Sequence, residues 1–390
     1  MNRKVLFIHD GPLYFDESNG KYYGVHYNDA LVNRYSFFGN EVTFLMRLYK
    51  IEKLEISKYS LITDDAFKFI EIPDFKKISH YIRNRKKAKR IIKESILQHD
   101  IIIIRFPSAA GTIAFKYALK FKKPVLVEFV ACVFDALWNY NWQGKLLACF
   151  KFIYYRTLIK KAPHIIYVTD KFLQKRYPSL GKSIGCSDVE LIPNEEFVLN
   201  KRINNIKKNN NGILSIATIA ALDVPYKGQK DVIKALALLK KKGKYFKYYL
   251  VGQGDSAFIK KAITKYKVEE FVKILGPLKH NGVFDFLDTV DLYIQPSKQE
   301  GMPRALIEAM SMACPALGTR VGGIPELLPE ECIYKAGDIK ELSKKLLSID
   351  KEWLIDKAKE NFIMAKKFNN AVLEEKRKDF YKVFIKDNNL

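Results

Sequence analysis

Residues 291–303 read Asp291-Leu292-Tyr293-Ile294-Gln295-Pro296-Ser297-Lys298-Gln299-Glu300-Gly301-Met302-Pro303, and the fold turns on how this stretch is read. Leu292, Tyr293 and Ile294 form a short apolar run of the kind that makes a buried strand, and residues 303–312 carry helical spacing. Pro303 suits the first helical turn, where its missing N–H costs nothing. Gly301 lets the backbone approach a ligand closely. The free N–H groups of such a helix start, with the positive end of its dipole, form an anion site that a diphosphate would suit.

Working outward, the same strand-then-helix alternation recurs. Strands are predicted at 212–217, 247–251, 272–275 and 316–318, with helices at 228–240, 255–266 and 281–289. The first half repeats the pattern with strands at 5–9, 41–45, 124–129 and 164–169 and helices at 27–38 and 111–121. Four consecutive isoleucines, Ile101 to Ile104, read as a strand buried on both faces. Residues 11–24 are expected to form a glycine-containing loop, and the polar stretch 199–211 a link between domains. Alternation of this kind implies parallel sheets covered on both sides. The expected fold class is α/β, with two Rossmann-like, doubly wound domains facing a central cleft. Residues 1–198 are expected to form the first domain, 199–368 the second, ligand-binding domain, and 369–390 a charged helix that packs back towards the first.

Composition bounds the function. The 390 residues are 48% hydrophobic and 28% charged, a globular balance. Five scattered cysteines form no CxxC pair, so zinc and redox motifs are unsupported and reduced thiols in a cytoplasm are expected. No apolar run is long enough to span a bilayer, and the four apolar residues Val5 to Ile8 fall short of a signal-peptide core. A net charge of +24 favours polyanionic partners: nucleic acid, anionic lipid or phosphorylated substrate. No helix-turn-helix, zinc-finger or RNA-reading aromatic signature supports nucleic acid.

Two carboxylates frame the helix start. Glu300 lies just before it, and Glu308 sits inside it between Ile307 and Ala309, where a carboxylate needs a hydrogen-bonding partner such as a sugar hydroxyl. A plainer reading pairs Glu308 with Arg304 one turn earlier and leaves Glu300 as an exposed cap.

Pro296, Ser297, Glu300, Gly301, Pro303 and Glu308 match the Glu-x7-Glu signature PS-x-x-EG-x-P-x-x-x-x-E. The following Ala309-Met310-Ser311-Met312-Ala313-Cys314-Pro315 and Val321-Gly322-Gly323-Ile324-Pro325-Glu326 match as well, apart from Cys314, where glycine is usual. On these residues the chain resembles the retaining GT-B glycosyltransferases of family four, the glycosyl transferases of group 1. The likeness is good across the second half. It is weaker in the first, through Tyr167-Val168-Thr169 and Ile192-Pro193-Asn194.

The resemblance implies transfer of a hexose-type sugar from a UDP- or GDP-sugar to an acceptor hydroxyl with retention, in bacterial surface polysaccharide synthesis. By position, Glu300 and Lys227 would be catalytic, Glu300 on the donor sugar and Lys227 on the diphosphate. Gly301, Met302 and Pro303 would add backbone contacts, and Glu308 would hold the ribose. Pro277 and Leu278 would line the base, with Gly252 and Gly254 in the family's glycine loop. Two departures stand out. Ile219-Ala220-Ala221-Leu222 replaces a stretch that usually carries a phosphate-binding arginine, and Glu128-Phe129-Val130-Ala131-Cys132 replaces one that often carries a histidine.

No Asp-x-Asp occurs, so neither a metal nor a cofactor is expected, the nucleotide-sugar being a substrate. Gly20, Tyr23 and Arg105 are the weaker candidates for the acceptor or phosphate side. Basic helices at 81–92 and 145–161 suggest a peripheral position on the anionic inner face of the cell membrane, beside a glycan or lipid-linked acceptor, although solvated helix faces would read the same way. A nucleotide-sugar 2-epimerase of the same architecture is the alternative.

Overall fold

The computed structural model describes residues 3–25, 27–51, 59–75, 81–189, 191, 195–209 and 212–390. Ile192-Pro193-Asn194 lies outside them.

The first domain runs β1 (Lys4–Asp16), β2 (Lys21–Gly24), α1 (Asp29–Tyr35), β3 (Glu41–Lys50), β4 (Ser60–Ile62), β5 (Phe67–Glu71), α2 (Tyr81–Gln98) and β6 (Ile101–Phe106). It continues with α3 (Ala109–Lys120), β7 (Val125–Phe129), α4 (Val133–Trp138), α5 (Trp142–Ile159), β8 (His164–Tyr167), α6 (Phe172–Arg176) and β9 (Lys182–Gly185). Its parallel core has the order β5-β3-β1-β6-β7-β8-β9, with β2 and β4 added antiparallel at the far end of β1. The four isoleucines of β6 are fully buried, which fits a strand covered on both faces.

After α7 (Glu196–Lys208), the second domain runs β10 (Leu214–Ile219), α8 (Gln229–Lys240), β11 (Phe246–Val251), α9 (Ala257–Tyr266), β12 (Val272–Gly276), α10 (His280–Asp288), β13 (Leu292–Gln295) and α11 (Arg304–Ser311). Then come β14 (Ala316–Thr319), α12 (Ile324–Leu327), β15 (Ile333–Tyr334), α13 (Ile339–Leu347), α14 (Lys351–Ala365) and α15 (Asn370–Asp387). Its six parallel strands are ordered β12-β11-β10-β13-β14-β15. That is the doubly wound order with its reversal between β10 and β13, the place where such sheets bind ligands. The chain is therefore α/β, with two Rossmann-like domains.

Two sequence expectations need correction. Residues 11–24 are not a loop: β1 stays paired with β3 as far as Phe15, and Tyr14 to Asp16 then pair back with Tyr23 to Lys21 in a hairpin. The apolar Leu13, Tyr14, Phe15 and Tyr22 sustain the strands despite the glycines. Residues 199–211 are not an open link either, because α7 covers most of them. Val198, Arg202 and Ile206, at i, i+4 and i+8, form a buried stripe under a polar exterior, against Leu354, Ala358 and Phe362 of α14. Arg202 gives one guanidinium nitrogen to the Leu287 carbonyl at 2.7 Å and another to that of Val290 at 2.5 Å.

The chain then crosses back. On α15, Tyr381 packs its ring 4.4 Å from Phe38, and the Asp387 carboxylate bonds His164 Nε2 at 2.7 Å and Lys182 Nζ at 2.8 Å. Met302 packs against two apolar clusters, one confined to the first domain and one that spans both. The loop preceding α11 therefore lies at the junction.

Candidate active site

The site forms where β10 and β13 diverge. Beyond β10 a single 3-10 turn, Pro225–Lys227, leads to Gly228, whose φ of +81° places it in the left-handed region. A Cβ at Gly228 would overlap the Pro296 carbonyl, and the Lys298 N–H donates to the Tyr226 carbonyl at 2.7 Å. Only glycine allows these two loops to approach so closely.

That contact brings Lys227 onto the loop after β13. Its ammonium donates to Glu300 Oε1 at 2.7 Å, and Gln295 Nε2 donates to the same oxygen at 3.0 Å. Gln295 is held in turn by the Tyr293 hydroxyl at 2.9 Å and gives its amide to Ser297 Oγ at 2.9 Å. Gln295 and Ser297 are buried, whereas the Glu300 and Lys227 side chains keep 11% and 23% of their surface. The pair thus closes a buried polar network at an open edge.

The Glu300-Gly301 turn is gripped from both sides. Gly323 N–H donates to the Gly301 carbonyl at 2.7 Å, and a Cβ on Gly322, at φ +58°, would overlap the Glu300 carbonyl. Across the junction, a Cβ on Gly301 would lie 2.6 Å from the Val130 carbonyl of the first domain. Pro303 stands at the N-cap of α11, one residue before the position expected, so the N–H groups of Arg304 onward open the helix. Glu308 is 7% exposed on the buried side of α11, whereas Arg304 is exposed.

The remaining second-domain candidates line the same sheet edge. Gly252 and Gly254, at φ +155° and +106°, would meet Ala220 and Asp223 if they carried a Cβ. Leu222 N–H donates to the Gln253 carbonyl at 2.8 Å, and Gly252 N–H to that of Gly276 at 2.9 Å. Pro277 and Leu278 follow as exposed residues after the edge strand β12.

The first-domain candidates are placed differently. Gly20 sits exposed at the tip of the β1–β2 hairpin, and Tyr23 is buried with its hydroxyl accepting from Asn19 at 2.9 Å. Arg105 is buried; its Nε donates to Glu128 at 3.0 Å and its guanidinium faces Asp188 at 3.9 Å. Tyr35 donates to the other Glu128 oxygen at 2.9 Å. None of the three joins the Lys227–Glu300 network.

Two participants escaped sequence reasoning. Gln295 anchors Glu300, and its signal was a polar residue ending an otherwise apolar buried strand. Glu326 reaches across the junction and accepts from the N–H groups of Asp170 at 2.6 Å, Lys171 at 3.1 Å and Phe172 at 2.7 Å. It caps a helix of the other domain, which no local pattern could announce.

Cys314, at the one position where the chain departs from the residues the resemblance leads one to expect there, is fully buried, and burial pushes its thiol up to about 11. It is a packing residue rather than a reactive one. Among the described residues no group of three or more His, Cys, Asp or Glu is arranged to hold a metal ion, and no helix is long and apolar enough to cross a membrane.

A family model described as "Glycosyl transferases group 1" matches residues 198–367. Protein CapJ of Staphylococcus aureus is 31% identical over 344 residues, spanning 87% of this chain and 85% of that protein. The amylovoran biosynthesis glycosyltransferase AmsK of Erwinia amylovora is 33% identical over 147 residues, 35% of each chain. Among solved structures, Anabaena Alr3699/HepE in complex with UDP and glucose aligns with a TM-score of 0.65 at 14% identity, covering 98% of this chain and 100% of that one. At that identity the likeness speaks for the fold alone, and the fold is GT-B. The match across the second domain and the near full-length relative agree: this chain belongs to the group 1 glycosyl transferases.

Proposed function

We propose that the enzyme transfers a hexose-type sugar from a UDP- or GDP-sugar to an acceptor hydroxyl, with retention and without a metal ion, in the assembly of a bacterial surface polysaccharide. The observation that carries this reading is the Lys227–Glu300 pair at the strand reversal, facing the start of α11. In the free protein each charge satisfies the other. A donor lying along α11 would offer both something better: phosphate oxygens for Lys227 and sugar hydroxyls for Glu300. Negative charge then grows on the leaving diphosphate while the sugar becomes oxocarbenium-like. A lysine and helix-terminal amides fixed in advance stabilise that state more than the ground state. Glu308 takes the ribose hydroxyls in this reading, and Pro277 and Leu278 the base. The leaving phosphate receives the acceptor proton on the same face of the sugar.

Polysaccharide assembly is supported by the amylovoran biosynthesis glycosyltransferase among the relatives, and a nucleotide-sugar donor is in keeping with the UDP and glucose bound by the Anabaena protein of the same fold. The acceptor enters from the first domain, at the inner face of the membrane, where the basic helices lie. The test is an incubation of donor with and without a glycan acceptor, followed by NMR of the anomeric coupling. The expected result is acceptor-dependent release of nucleoside diphosphate, an unchanged anomeric configuration and insensitivity to EDTA. A donor isomerised with no acceptor present would establish the 2-epimerase instead, and an inverted product would overturn the mechanism.

A further inference from the structure

In the first domain, a cavity of about 730 Å³ opens between α2, α3 and α5. Arg85, Lys89, Lys116 and Lys151 line it, and no lining residue is acidic. Two of these cations converge: Lys116 and Lys151 place their ammonium groups 5.4 Å and 5.8 Å from the Tyr154 ring centre. Aromatic side chains supply most of the remaining wall. Such a groove offers an anion several positive charges and an aliphatic chain an apolar bed.

The groove is continuous with an apolar surface. Trp142, Leu146, Phe150 and Ile153, spaced by four, four and three residues, make one stripe along α5 and are 69%, 72%, 67% and 63% exposed. The opposite face of the helix buries Ala148, Tyr155 and Ile159 in the core. With one face in the core and a second apolar stripe left exposed, α5 presents an unpartnered apolar surface of the kind that marks an interaction site. The inner end of the groove reaches the start of α3. Ala109 and Thr112 line it, and Tyr155 donates to the carbonyl of Ser108, the cap of α3 at the ligand-facing edge of the sheet. One strand further on, β7 leads to Val130, which abuts Gly301.

We infer that this groove seats the phosphate of an anionic membrane lipid while the α5 stripe enters the acyl layer, so that a lipid-borne acceptor is presented to the cleft. The charge complementarity of the lining favours a phosphate headgroup, and the adjoining stripe favours a bilayer over a soluble anion. This inference rests on the proposed function for the acceptor and for a position at the membrane, whereas lipid binding does not require the transfer chemistry.

Flotation with phosphatidylcholine vesicles containing phosphatidylglycerol tests this on the full chain. Wild-type protein should bind at low ionic strength, and vesicles of phosphatidylcholine alone should bind far less. At roughly five-fold per basic side chain, Lys89→Ala/Lys116→Ala should weaken binding on the order of 25-fold. Leu146→Ser/Phe150→Ser should also release the protein, whereas Lys260→Ala/Lys261→Ala on α9 should stay within about two-fold of wild type. Cys149, the one exposed cysteine of five, lies beside Phe150, and its reaction with a thiol reagent should slow when vesicles bind. Equal loss in both lysine pairs, an unprotected Cys149, or no vesicle binding at all overturns the proposal. So does a thermal shift with inorganic pyrophosphate that depends on Lys89 and Lys116, which would mark a site for soluble anions. The shift given by a nucleoside diphosphate should persist in every variant. Its absence from wild-type protein would count against the donor site and leave the groove untouched.

Discussion

Each of the two domains carries a cation–carboxylate pair, and the two pairs sit in different settings. In the first domain Arg105 meets Glu128 with side chains 10% and 7% exposed, between Phe7, Tyr35 and Asp188, on strands buried on both faces. In the second domain Lys227 meets Glu300 at the rim, on two loops held together by Gly228 and beside a helix start. A pair inside a sheet costs desolvation and cannot exchange its partners. A pair at a sheet edge can release both charges to a ligand. Burial and a closed set of partners, rather than residue type, distinguish the first pair from the second.

That contrast can be broken by mutation. The largest effect on stability should come from Arg105→Met, which strands the Glu128 carboxylate in the core. A loss of about 3–5 kcal/mol is expected by urea unfolding. A variant as stable as wild type would mean that this pair is not structural. Lys227→Ala should behave in the opposite way, with a nearly unchanged melting temperature and turnover reduced about 10²- to 10³-fold, the scale for removing one preorganised charge contact. Loss of folding there would erase the distinction. Gly228→Ala sharpens it further. A left-handed φ and a Cβ on the Pro296 carbonyl should cost about 2 kcal/mol and separate Lys227 from Glu300, lowering both stability and turnover. The smallest effect should come from Glu326→Ala, which uncaps α6 at the junction for roughly 1 kcal/mol. Small-angle scattering should then show wider domain spacing, and an unchanged profile would reduce Glu326 to a local cap.

The second domain was far more legible than the first. Its candidate site is concentrated in one stretch: the strand-ending Gln295, the glycine at 301, Pro303 and the two glutamates are close in sequence because one strand-loop-helix unit carries them. Much of the alternation was readable, since buried parallel strands such as Ile101 to Ile104 need continuous apolar runs, whereas the short or half-exposed strands β4, β5 and β9 gave no such run. Local composition misled in two places. Glycines at 11, 20 and 24 masked a strand and hairpin whose pairing partners lie elsewhere in the chain, and the asparagine- and lysine-rich surface of α7 hid the stripe of Val198, Arg202 and Ile206. Arg105 looked available because it ends a strand, but its partner Glu128 comes from the neighbouring strand and is 23 residues away. Contacts across the junction, such as Glu326 on α6, depend on the docking of two domains and leave no periodic trace.

The account stands on a diphosphate lying between Lys227 and the first turn of α11. Isothermal titration of wild-type protein and Lys227→Ala with a nucleoside diphosphate and its monophosphate tests this most directly, using whichever of UDP and GDP binds more tightly. Wild-type protein should prefer the diphosphate by about ten-fold or more, as one added charge-assisted contact predicts. Lys227→Ala should lose most of that preference while binding the monophosphate as before. Equal weakening of both ligands, or a preference left intact, would contradict it.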